Sequence, residues 1–287
     1  MFKKLITKCK FLLILGRYNY PTGAFLLMWP CLWGVAFQVT DINIFIKYSF
    51  LFFIGSFIMR GAGCCINDLF DKKFDSMVSR TRNRPLASGK LKNFDAIIFI
   101  IFQLILGFII LIQFNLKIIL FAIGIMPLVI VYPIFKRIVN FPQLFLGIVF
   151  NWGIILGFLV ENNELNFQIL ILYVAGVLFT IGYDTIYGMQ DIKDDKKIGV
   201  KSLSILVEKN RVFFIGIIYF LSFICFSISF FYQNISFFFS LSSSIIIFVL
   251  FFFQLYLLME KEFKKIFDQN IFVGGIIFLI ILSQNFF

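Results

Sequence analysis

The sequence predicts an all-α, polytopic membrane bundle, and three observations carry that prediction. Mean hydropathy is +0.97, and 61% of the 287 residues are hydrophobic, far more than a soluble core needs. Apolar runs close to the bilayer-spanning length of about 20 residues recur along the whole chain. The basic residues, finally, fall almost entirely between those runs. There are five in the first 20 residues, seven in 67–93, two in 136–140, six in 189–211 and three in 259–270, together 23 of the 26.

The apolar runs define nine spans, at about 22–39, 44–66, 94–113, 116–135, 141–160, 168–188, 212–232, 236–258 and 271–286. The five basic segments alternate strictly with short gaps near 40–43, 114–115, 161–167 and 233–235, whose charges are Asp41, Glu161 and Glu164. Lysine and arginine stay on the cytoplasmic side. The N-terminus is therefore expected inside and the C-terminus outside, with residues 1–287 forming one domain in the cell inner membrane. Residues 1–20, with Lys3, Lys4, Lys8, Lys10 and Arg17, read as a cytoplasmic, partly amphipathic segment; no small-residue cleavage site follows the first span, as a cleaved signal peptide would require.

The net charge of +11 is accounted for by this topology, and no nucleic-acid partner is implied. Five cysteines form no C-x-x-C pair and read as reduced, packed thiols. The absence of histidine removes zinc–histidine sites, haem–histidine ligation and Ser-His or Cys-His catalysis together.

Span 1 carries Pro21, Gly23, Trp29, Pro30 and Trp33, expected to anchor the helix at the interface and kink it. In span 5, Gly147, Gly153 and Gly157 predict close helix packing, with Asn151 supplying one interhelical hydrogen bond. Spans 7 to 9, rich in Phe and Ile, suit either lipid contact or the wall of an apolar channel.

The chemistry concentrates where span 2 meets its basic loop. Asn67, Asp71 and Asp75 stand at i, i+4 and i+8, on one face of a continuing helix. Arg60 lies on that face seven residues earlier, about 10 Å deeper. Carboxylates at a helix C-terminus oppose its dipole, so their alignment calls for a cation. A single copy would read as an acidic loop paired with Lys72 and Lys73. A second copy, Asp184, Asp191, Asp194 and Asp195, ends span 6, which the alternation places on the same cytoplasmic face. The pairing suggests an old repeat with a site at its interface.

Oxygen donors without histidine suit Mg2+, which takes one or two carboxylates plus substrate phosphate oxygens. Two such clusters, rimmed by Lys72, Lys73, Lys136, Arg137, Lys193, Lys196, Lys197 and Lys201, fit a diphosphate bridged through metal. A diphosphate met inside a membrane is lipid-soluble, which points to transfer of an isoprenoid chain.

These residues also carry a family resemblance. Asn67-Asp-Leu-Phe-Asp-Lys-Lys-Phe-Asp75 followed by Arg80-Thr-Arg-Asn-Arg-Pro85 resembles the first motif region of the UbiA-type intramembrane prenyltransferases; Tyr183–Ser202 resembles the second. Pro21–Pro30 and Tyr132-Pro-Ile-Phe-Lys-Arg137 look like the branch acting on 4-hydroxybenzoate. The likeness covers about Arg17 to Ser202. It implies that Asn67, Asp71 and Asp75 hold one Mg2+, Asp191 and Asp195 another, and that Tyr132 and Lys136 contact a polyprenyl diphosphate. The implied reaction prenylates the ring of 4-hydroxybenzoate ortho to its hydroxyl, at the cytoplasmic face, in ubiquinone biosynthesis. Arg137 is the cation the resemblance favours for the acceptor carboxylate, unless it serves only as a positive-inside anchor. Arg60 either makes an inward anion contact, pairs with Asp184, or snorkels to the interface; Asp68 either supports the metal ligands or is solvated. Another aromatic acceptor is the nearest alternative. From a different class, a cation-coupled transporter is the rival, but its charges belong at mid-membrane and not at one interface.

Overall fold

The computed structural model describes residues 2–161, 164–232 and 236–286, apart from the side chains of Phe2, Pro133, Ile134, Lys136, Arg137, Asn285 and Phe286. The described residues form helices α1 (Phe2–Leu15), α2 (Thr22–Gln38), α3 (Ile42–Asp75), α4 (Asn93–Leu111), α5 (Leu116–Ile138), α6 (Pro142–Phe158), α7 (Phe167–Gly188), α8 (Ile192–Ile198), α9 (Leu203–Leu206), α10 (Arg211–Tyr232), α11 (Phe237–Met259) and α12 (Phe263–Phe286), with no strand among them. Seven of these are long and apolar enough to cross a membrane; α2 and the 116–132 stretch of α5 are apolar but shorter. Residues 162, 163 and 233–235 of two expected outer loops lie outside the described residues.

Helix starts are marked where the short gaps were expected. Asp41 accepts from the amides of Asn43 and Ile44 ahead of α3, Asn115 from Ile118 ahead of α5, and Asn166 from Ile169 ahead of α7. α2 packs on α3, α6 and α12; α6 packs on α5 and α7; α10 joins α7 to α11, and α4 lies against α3. Side-chain hydrogen bonds link neighbours: Asn151 Nδ2 to Thr180 Oγ1 at 2.7 Å, Trp152 Nε1 to the Phe121 carbonyl at 3.1 Å, and Tyr219 through Gln254 to Asn270 at 2.6 and 2.7 Å. Such bonds hold helices together in lipid, where burial of apolar surface alone gives little preference for protein over tails.

The structure amends the sequence reading in three places and agrees with it in two others. Span 2 continues as one helix of 34 residues to Asp75, beyond the expected end at 66. Span 6 stops at Gly188, as expected, and Asp191 stands at the start of the separate, seven-residue α8. Asp184 and Asp191 therefore do not share a helix face. The span-1 tryptophans are not interfacial: Trp33 is 2% exposed and donates to the Gly274 carbonyl at 2.9 Å. Trp29 packs on Gly274, Gly275 and Phe278. α12 begins at Phe263, eight residues before the expected span, so Lys264 and Lys265 lie in its first turn. Residues 2–15 are a helix with Leu5, Ile6 and Leu13 exposed beside its lysines, in keeping with an amphipathic segment.

The small residues of span 5 do what their spacing suggested. A Cβ on Gly153 would meet Cys31 Sγ at 2.5 Å, and one on Gly157 would meet the Cys31 carbonyl at 2.2 Å. α2 and α6 thus touch backbone to backbone.

Candidate active site

A cavity of about 690 Å3 collects residues from both aspartate regions. The last three turns of α3 contribute Asn67, Asp68, Asp71 and Asp75, the end of α7 contributes Asp184 and Tyr187, and α8 contributes Asp191 and Asp195. Sequences more than 100 residues apart meet because α3 and α7 end at the same side of the bundle. From that polar end the cavity runs back along α3 toward Leu51, about 30 Å from Asp71 at 1.5 Å per residue. The lining there is apolar: Leu51 and Phe52 on α3, Leu104 and Phe108 on α4, Met126 on α5, and Trp152 and Leu156 on α6. Among the described residues of the last three long helices, only Phe267 of α12 lines the cavity. Spans 7 and 8 are therefore not channel wall.

Guanidinium groups, more than the expected lysines, meet the aspartates. Asp68, 1% exposed, accepts from Arg17 Nη2 on both carboxylate oxygens at 2.8 Å. Arg84 Nη1 donates to Asp68 at 3.0 Å and to Asp75 at 2.8 Å. Arg80 holds Asp191 through Nε at 2.9 Å and Nη2 at 2.5 Å, while its Nη1 reaches the Tyr187 hydroxyl at 3.1 Å and the guanidinium sits over the Tyr187 ring. Burial alone would lower the Arg80 pKa, but the Asp191 contact and Tyr187 more than offset this and raise it. Arg17 behaves alike: burial pulls it down, and the Asp68 carboxylate brings it above the ordinary value. The backbone of Arg17 is left-handed, φ 61°, an unusual conformation for a branched-chain-free but long side chain, and it is held by two hydrogen bonds from Nη1 to the carbonyls of Ile14 and Leu15.

Asp68 is accordingly a buried support for two arginines and not a solvated residue. Asp194 does not line the cavity; it accepts from the Ser79 amide at 3.0 Å, and that backbone contact, ahead of a smaller opposing burial effect, holds its carboxyl below the usual range. Of the rim lysines, Lys72 bonds Asn93 and Lys196 pairs with Glu208; Lys201 alone among the described lysines lines the cavity. Tyr132 lines it too, whereas the side chains of Lys136 and Arg137 lie outside the described ones.

Arg60 points inward. It lines the cavity, its guanidinium lies 5.3 Å from the Phe150 ring centroid, and its Nε is buried with no hydrogen-bond partner. A Cβ on Gly23 would come within 2.6 Å of that Nε, so Gly23 makes room for Arg60. Snorkelling is excluded by this placement. No Arg60–Asp184 ion pair forms among the described residues.

The residues present suit a hard divalent cation. Asn67, Asp71, Asp75, Asp191 and Asp195 offer oxygen around one cavity, yet among the described residues no three acidic side chains are gathered closely enough to hold an ion by themselves. Such spread oxygen donors leave a hard divalent cation to complete its shell with phosphate oxygens and water. Sequence reasoning missed the roles of Arg17, Arg80 and Arg84. The one signal available was the i, i+2, i+4 arginine spacing of residues 80–84 directly after the first aspartate motif.

Comparison with known proteins agrees with this geometry. The mitochondrial 4-hydroxybenzoate polyprenyltransferase of Drosophila pseudoobscura pseudoobscura is 47% identical over 199 residues, 68% of this chain and 50% of that protein. The 4-hydroxybenzoate octaprenyltransferase of Tolumonas auensis is 37% identical over 204 residues, 71% of each. The chain spans about half the length of the mitochondrial relatives it matches. Among solved structures, the apo UbiA homolog from Aeropyrum pernix K1 superposes with a TM-score of 0.77 at 21% identity, over 91% of this chain and 97% of that one. A UbiA homolog from Archaeoglobus fulgidus bound to GPP and Mg2+ gives 0.71 at 16% identity, over 96% and 98%. At those identities the likeness is one of fold. Residues 27–281 match the UbiA prenyltransferase family, and with a sequence match of that extent, carried on the same helical fold, the chain belongs to that family.

Proposed function

We propose that the protein transfers a polyprenyl chain from polyprenyl diphosphate to 4-hydroxybenzoate, ortho to the hydroxyl, with release of diphosphate and a requirement for Mg2+, as a step toward ubiquinone. The observation that carries the reading is a single cavity with both aspartate regions and four arginines at one end and apolar side chains along the rest. Relatives named for that reaction and a homologue that binds GPP and Mg2+ support it. Asn67, Asp71 and Asp75 hold one Mg2+ and Asp191 and Asp195 a second; when bound, the metal supplies positive charge to the departing diphosphate.

The chain's own groups do the rest. Arg80, Arg84, Lys201, Lys136 and Tyr132 orient the diphosphate. The apolar end takes the prenyl chain and keeps water from the allylic carbon as its bond to oxygen breaks, with aromatic faces beside the developing cation. The aromatic carbon ortho to the phenol oxygen forms the new bond and then loses its proton. A guanidinium binds the acceptor's carboxylate in a planar, two-point contact that lysine cannot copy. Arg60, buried against Phe150 with an unpartnered Nε, is better supported for that role than Arg137, although the latter stands beside Tyr132 and Lys136 in sequence. Arg60→Lys is then expected to raise KM for 4-hydroxybenzoate much more than for the prenyl diphosphate. Equal rises would assign Arg60 to the diphosphate.

We place all nine apolar helices across the inner membrane as one domain, N-terminus inside and active site at the cytoplasmic face. Single cysteines at Ser88 and Glu164, both exposed, in an otherwise cysteine-free chain, should react with impermeant reagent from opposite sides. Labelling from one side only would overturn the topology. The reaction itself is tested in membranes supplied with one prenyl diphosphate and several aromatic acceptors, with and without EDTA. Product with 4-hydroxybenzoate and Mg2+ alone supports the proposal. Undiminished turnover in EDTA, or metal-driven ion flux without any diphosphate, sinks it and returns the transporter reading.

A further inference from the structure

Asp75 and Asp191 belong to the two different proposed metal positions, and each already has a cation on its oxygens. Arg84 Nη1 is 2.8 Å from Asp75; Arg80 grips Asp191 side-on through two nitrogens. A guanidinium in that position takes up lone pairs an ion would otherwise use and repels the ion's charge, so guanidinium and ion compete for the same carboxylate. Each arginine also has a second partner that is no part of the metal positions. Arg84 Nη1 bonds the buried Asp68 at 3.0 Å, and Arg80 is held by the hydroxyl and ring of Tyr187. Either arginine can release its aspartate without leaving the cavity. Charge balance favours such a handover. Around the cavity the described residues supply six aspartates against four arginines and one lysine, close to neutral as it stands. Divalent ions entering alone would leave surplus positive charge, which a diphosphate restores to balance.

We propose that Arg80 and Arg84 are exchangeable counter-ions: they neutralise Asp191 and Asp75 in the free protein, then yield those carboxylates to metal and turn to the arriving diphosphate. The second half of this cycle rests on the prenyl diphosphate reading; the first half does not. Metal and diphosphate then bind as a unit, and neither binds well alone.

The experiment measures Mn2+ binding to the purified full chain in detergent, by the loss of the free Mn2+ resonance, with and without inorganic diphosphate. Wild type is expected to bind Mn2+ weakly alone and markedly tighter with diphosphate. Arg80→Gln should bind Mn2+ alone about fivefold tighter, the scale of one partly exposed charge contact, and lose most of the gain from diphosphate. Arg80→Lys, which keeps the charge without the side-on grip, should fall between and serves as the readout if the Gln variant does not insert. Unchanged or weaker Mn2+ binding in the folded variant would overturn the exchange. Tighter Mn2+ binding in the variant, with diphosphate silent in both proteins, would uphold the exchange and count against the diphosphate reading instead.

Discussion

Asp191→Asn is expected to lower turnover about a thousandfold, the scale on which one preorganised electrostatic contact to developing charge acts, while the protein still inserts and folds. The substitution keeps the shape of the side chain and removes its charge. Its cost to stability is small, because the contact it breaks, to an Arg80 side chain 38% exposed, is partly screened by water and worth below about 1 kcal/mol. Asp71→Asn should behave in the same way. Asp194→Asn provides the contrast: its partner is the Ser79 amide and not the cavity, so turnover should stay within a few-fold of wild type. Steady-state rates at saturating Mg2+, with melting of the solubilised protein as the control for folding, make the comparison. Turnover of Asp191→Asn within tenfold of wild type would remove this residue from the metal position, and equal losses at Asp191 and Asp194 would mean that both act only through loop structure.

Gly34→Ala is expected to have the largest effect on stability. A Cβ there would lie 2.1 Å from the Ile154 carbonyl oxygen and 2.8 Å from the Phe158 nitrogen. Both atoms are backbone, so no rotamer change relieves the clash, and α2 must move off α6. Overpacking of this kind costs about 3 kcal/mol, and it would also misplace Gly23 beside Arg60. Gly124→Ala is the matched control, since nothing lies within 4 Å of its Cβ and alanine suits a helix better than glycine by about 1 kcal/mol. Thermal inactivation of the two variants in the same detergent should differ in sign. A Gly34→Ala protein as stable as wild type would show that the α2–α6 contact is looser than described.

Much of the site was legible because its signals are local. Asn67, Asp71 and Asp75 repeat with the period of a helix, and the alternation of basic gaps put Asp191 and Asp195 on the same side. Their partners were not legible, since Arg17 meets Asp68 across 51 residues and Arg80 meets Asp191 across 111. No periodicity records a contact of that range. Hydropathy misled at Trp29 and Trp33 for a related reason: the same apolar side chain suits lipid, interface or a neighbouring helix, and only the fold decides. The end of span 6 at Gly188 was legible, whereas the seven-residue α8 that opens after it was not.

The position of α2 has a consequence for how the molecule is made. Of the helices that cover it, α3 follows directly in synthesis, but α6 and α12 follow by more than 100 and more than 200 residues. On emerging from the ribosome it meets the translocation machinery with Gly34, Trp33 and the Trp29 ring facing lipid or a chaperone in place of their final neighbours. The contact of α2 with α12 therefore has to wait until Gly274 has been made, and a chain halted before it would hold α2 with no acceptor for the Trp33 indole.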